Sequence, residues 1–74
     1  MTKYQMRLKE NGAIASLGCD QVLEGTEAEC LNNYVNYLIA QEGFKHHFST
    51  GCIFVEYLHR DGRTYRVVAE KRED

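Results

Sequence analysis

Two dipeptides constrain this chain more than anything else in it. Asn11-Gly12 stands near the start and Asp61-Gly62 near the end, each flanked by residues of strand character. Such pairs are strong hairpin signals, because a type I′ turn needs positive φ at both central positions. Asn, Asp and Gly reach that region at low cost. Between the two turns lies one segment with helical periodicity. Hairpin, helix, hairpin is an α+β layout, with one helix on one face of a mostly antiparallel four- or five-stranded sheet. The element order is β-β-α-(β)-β-β, in a single domain spanning residues 1–74.

In the first hairpin, Tyr4, Met6 and Leu8 alternate with Lys3, Gln5, Arg7 and Lys9, the pattern of a half-buried strand. Pairing across Asn11-Gly12 sets Ala15, Leu17 and Cys19 opposite Leu8, Met6 and Tyr4. Gly18 and the Cys19-Asp20 corner are the place for a bulge or bend, and Val22 and Leu23 can extend the strand beyond it. Thr26-Glu27-Ala28-Glu29 fits a capping box, with the Thr26 hydroxyl accepting from the Glu29 amide and Glu29 reaching back. Ala28, Leu31, Val35 and Leu38 then form one apolar stripe, with Tyr34 and Ile39 at its edges. Gly43 is the natural stop, and Phe44 is expected to fold back on Ile39 in a Schellman arrangement.

Residues 45–51 read either as a short edge strand or as a loop. The next stretch, Phe54 to Val68, has apolar or aromatic residues at neighbouring positions on both sides of its turn. A two-residue loop, Asp61-Gly62, and a three-residue loop, Arg60-Asp61-Gly62, give opposite side-chain sorting. The three-residue loop is preferred here. It places Ile53, Val55 and Tyr57 on one face with Tyr65, Val67 and Ala69, and sets Glu56 across from Arg66. The charged tail, residues 70–74, is expected to fray.

That register leaves Phe54, Leu58 and Val68 on the face away from the helix, with Ile14 nearby. Neighbouring exposed apolar residues mark contact sites, so these three are the candidate partner-binding residues. The occupant is a protein partner or a second copy of the chain. The outer edge of the last hairpin offers a further route, by strand addition.

Charge adds a direction. From Glu10 to Glu42 there are six acids and no Lys or Arg. Glu24, Glu27 and Glu29 in this stretch are expected to steer a partner with a basic surface. Arg60, Arg63, Arg66, Lys71 and Arg72, beside Tyr57 and Tyr65, form an alternative nucleic-acid site. Residues 43–74 carry six basic side chains against five acidic ones, which weakens that alternative.

Other chemistry finds little support. Cys19, Cys30 and Cys52 make an odd count without a secretory signal, so they read as reduced packing thiols rather than a disulfide framework. Cys52 with His46 and His47 lacks the paired spacings of a zinc site. A Cys52–His47 catalytic pair would need an orienting group and an oxyanion site. No phosphate-binding glycine loop is present. The expectation is a non-enzymatic protein with no cofactor and no metal. No apolar run approaches the ~20 residues of a membrane span, and the polar, alternating N-terminus points to the cytoplasm.

As architecture, two hairpins around one helix, the chain resembles the β-grasp-like immunoglobulin-binding domain of streptococcal protein G. It also resembles small phage-encoded inhibitors, among them certain anti-CRISPR proteins with one helix on a small sheet. The resemblance carries no motif; the carboxyl end, KRED, lacks the Gly-Gly of ubiquitin-like modifiers. It implies a protein-binding module, an inhibitor or accessory factor that acts by occupying a partner surface.

Overall fold

A computed structural model describes residues 2–51 and 55–72 of the chain. The elements run β1 (Lys3–Glu10), β2 (Ala13–Ile14), β3 (Gln21–Glu24), α1 (Glu27–Gln41), β4 (Lys45–Ser49), β5 (Glu56–Arg60) and β6 (Arg63–Arg72). They form one helix on an antiparallel sheet ordered β2-β1-β6-β5-β4, with β3 also paired to β1. The α+β expectation holds, but the described residues form six strands rather than four or five. One extra strand arises because the second strand is split. β2 pairs the end of β1, Lys9 with Ile14, and β3 pairs its beginning, Met6 with Gln21. Ala15 still meets Leu8 as expected, its amide donating to the Leu8 carbonyl at 2.9 Å; residues 16–20 then leave the ladder, so Leu17 and Cys19 do not continue the pairing with Met6 and Tyr4. All three still pack on the core. The other strand is 45–49, which pairs with β5 through a bulge between His46 and Phe48.

The helix follows its sequence signals closely. The Thr26 side chain accepts from the Glu29 amide at 3.1 Å and donates to the Glu29 carboxylate at 3.0 Å. The box therefore closes hydroxyl to carboxylate. Cys30, Leu31, Tyr34, Val35 and Leu38 are buried. At the other end, the Leu38 carbonyl accepts from both the Glu42 and Phe44 amides, and Gly43 takes φ 74°. Phe44 does not rest on Ile39, which is exposed. It enters the core edge-on to Tyr65, 5.6 Å between ring centroids.

The last hairpin corrects the preferred register. Asp61 and Gly62 both have positive φ, 54° and 78°, as a two-residue type I′ loop requires. The pairs are Arg60 with Arg63, Leu58 with Tyr65 and Tyr57 with Arg66. Side chains alternate along a strand, so changing the loop by one residue turns the strand over. Leu58 therefore lies under the helix with 0% exposure, and Tyr57 faces the other way. The physical reason is in the turn: an Asp-Gly pair with both residues left-handed follows the right-handed strand twist without a bulge. The tail is also corrected, since 70–72 belong to β6 and Glu70, Lys71 and Arg72 pair with Gln5, Tyr4 and Lys3. Residues 73 and 74 lie outside the described residues.

The core is Met6 and Leu8 of β1, the buried helix residues, Phe44, Leu58, Tyr65 and Val67, closed at one end by Cys19. Tyr34 spans it and donates its hydroxyl to the Cys19 carbonyl at 2.8 Å, so the only polar atom of this buried ring is satisfied. No helix among the described residues is long and apolar enough to cross a membrane.

Candidate functional site

Cross-strand partners share a face of the sheet. The strand registers therefore define a row running straight across the face that carries no helix: Phe48 of β4, Tyr57 of β5, Arg66 of β6, Lys9 of β1 and Ile14 of β2. Four inter-strand steps of about 4.8 Å make it about 19 Å long. Phe48 is 46% exposed and Ile14 51%. The Phe48 and Tyr57 rings stack at 4.4 Å with an interplanar angle of 18°. His47 meets Phe48 at 5.1 Å and His59 at 5.6 Å, both edge-on, which widens the aromatic end. The bulge at His47 explains this: it adds a ring to the outer face where strict alternation would not.

The middle of the row is cationic. Lys9 and Arg66 are directly opposed, an arrangement that like charges disfavour. Among the described residues neither forms an ion pair. With Tyr57, Thr64, Asn11 and Gly12 they line a shallow concavity of about 360 Å³. Farther down the same face the charge is compensated. Arg7 reaches Glu70 at 3.0 Å and Asp20 at 3.7 Å.

The sequence-derived candidates fare unevenly. Phe54 lies outside the described residues, as do Ile53 and Cys52. Leu58 is core and leaves the set. Val68 is on the open face, half-buried beside Arg7. Glu24, Glu27 and Glu29 are exposed; Glu24 ends β3 opposite Lys3, on the open face, while Glu27 and Glu29 stand in the first turn of the helix, where Glu29 completes the cap. The basic set divides between two sides. Arg66 and Arg72 point to the open face by alternation, while Arg60, Arg63 and Lys71 do not. Arg60 donates to the Glu42 carbonyl at 3.0 Å and lies 4.4 Å over the Phe44 ring, which fixes it to the helix end. Arg63 is 3.9 Å from Glu10. The last hairpin has no free outer edge either, because β4 covers β5. The sequence reading missed Phe48, Tyr57 and Lys9 as one set. The Asp61-Gly62 pair, taken as a two-residue turn, would have supplied the link between Tyr57 and Arg66.

On the helix side, a cleft of about 380 Å³ runs beside Leu31, Val35 and Ile39 and ends at His46 and Glu56. His46 Nε2 and Glu56 Oε2 are 2.6 Å apart, a contact that fastens the edge strand to its neighbour. Cys19 and Cys30 are free and buried. Burial raises the Cys19 thiol, helped by its hydrogen bond to Glu42, and burial raises Cys30 as well. A raised pKa keeps them protonated and poorly nucleophilic at neutral pH. Among the described residues no group of three or more His, Cys, Asp or Glu is placed to hold a metal ion. No protein-family model, curated protein or solved structure matches this chain.

Proposed function

We propose that this chain is a non-enzymatic binding module that acts by occupying a surface of another macromolecule, and that its contact is the helix-free face of the sheet. An inhibitor or accessory factor works in this way. One observation carries the reading: the Phe48-Tyr57-Arg66-Lys9-Ile14 row puts exposed rings, cations and an exposed aliphatic side chain in one line on a rigid sheet. Interfaces favour this composition, with aromatic and Arg anchors supplying much of the binding energy. Five strands hold the row in place, so little ordering entropy is lost on contact.

A second reading uses the exposed Glu24 and Glu27 to engage a basic partner. One experiment separates the two. A photo-cross-linking residue is placed at position 48 or at position 27 and irradiated in cell extract. Adducts from position 48 and not from 27 support the sheet face. Adducts from 27 alone transfer the contact to the acidic end, and adducts from neither remove both.

A further inference from the structure

We infer that the occupant of this face is single-stranded nucleic acid, its bases on the Phe48-Tyr57 rings and its phosphates on Lys9 and Arg66. The inference rests on the sheet face being the contact surface. Three features of the row select this chemistry. First, Lys9 and Arg66 stand side by side although like charges directly opposite destabilise a sheet, and neither has an acid to neutralise it among the described residues. An anion between them relieves that repulsion, and Arg presents the fork that suits phosphate oxygens. Second, the cations adjoin rings. Tyr57 is the direct cross-strand partner of Arg66, stacked on Phe48, and it lines the same concavity as both cations. Rings beside cations suit unpaired bases, whose π-faces are free to stack. A duplex would use the charge and leave the rings idle. Third, acids are placed elsewhere. Glu27, Glu42 and Glu56 belong to the helix, its end or the helix side of β5; of the described acids on the open face, Asp20 and Glu70 are held by Arg7, and Glu24 lies opposite Lys3, at the other end of β1 from Lys9. A small acidic protein can thus present one basic strip. Sheet-based readers stack two or three bases on four strands, and this row crosses five strands over about 19 Å.

The test is fluorescence anisotropy of the full chain with labelled single-stranded RNA, single-stranded DNA and a DNA duplex of equal length, over a range of salt. Circular dichroism checks that each variant is folded. Single strands should bind and the duplex should bind more weakly; whichever of RNA or DNA binds tighter identifies the source. Phe48→Ala should weaken binding roughly 5- to 100-fold. Lys9→Ala with Arg66→Ala should lower the slope of log affinity against log salt by about 1.4, at about 0.7 per phosphate contact on single strands. Arg63→Ala, on the other side of the sheet, should leave both unchanged. The inference is overturned by absence of binding at low salt, by preference for the duplex, or by equal losses in Arg63→Ala. A nuclease-resistant adduct at position 48 with no oligonucleotide binding would overturn it while leaving the sheet face as a protein contact.

Discussion

Leu58 and Tyr57 are neighbours with opposite fates, and the difference between them carries most of what the structure adds. Leu58 is fully buried, so Leu58→Ala removes its packing and leaves a cavity, at a cost of roughly 2–5 kcal/mol. Tyr57→Ala loses a stacked, partly solvated ring pair, roughly 0.5–1.5 kcal/mol. Urea unfolding of both variants checks this; equal losses would mean that the hairpin register is wrong. Tyr34 gives a second residue-scale test. Burial, with help from nearby Cys19 and Asp20, pushes its phenol well above the usual value of about 10. The folded state therefore holds that proton more tightly than the unfolded chain. Its stabilising share is complete below pH 10 and falls as pH rises above it, by up to about 1.4 kcal/mol per pH unit. Tyr34→Phe loses the hydrogen bond to the Cys19 carbonyl, about 1 kcal/mol at pH 7. It also loses the phenol's alkaline penalty. The stability gap between wild type and variant should narrow between pH 9 and pH 11, and a constant gap would contradict the assignment.

At the scale of elements, local chemistry was legible and pairing partly so. The helix was readable because its cap, stripe and stop agree: Thr26, the buried residues at helical spacing, and Gly43 all mark the same segment. Thr26→Ala should lower stability by about 1 kcal/mol in thermal or urea unfolding, since it removes both hydroxyl contacts to Glu29. No change would show that the helix entry is held by packing alone. The strands were harder to read. Both turn dipeptides mark turns, yet matching apolar residues across Asp61-Gly62 selects the wrong loop length, because Tyr57 looks as apolar as Leu58. Periodicity cannot separate them when both faces of a strand carry large side chains. The strand at 45–49 is ambiguous in the sequence because all five of its residues are exposed, so no buried face imposes a pattern. The excursion at 16–20 is signalled by Gly18 and Asp20, but its extent depends on how β1 divides its edge between two short strands.

At the scale of the molecule, sequence order conceals the charge pattern. Read along the chain, the acids fill the middle and the bases are interleaved with acids near the end. Folding re-sorts them. Lys9, from the first strand, meets Arg66, from the last, because β1 and β6 are the central pair. A basic patch assembled across that distance has no signature in a linear window, where the bases of residues 60–72 stand interleaved with acids. In the proposed reading the helix-free face is the contact surface and the helix side its support. Amide chemical-shift mapping during titration with a single-stranded oligonucleotide tests this most directly. The structure predicts changes concentrated at Lys9, Phe48, Tyr57, Thr64 and Arg66, with Asn32 and Asn36 of the helix unmoved. Changes centred on the helix, or none at saturating oligonucleotide, would contradict it.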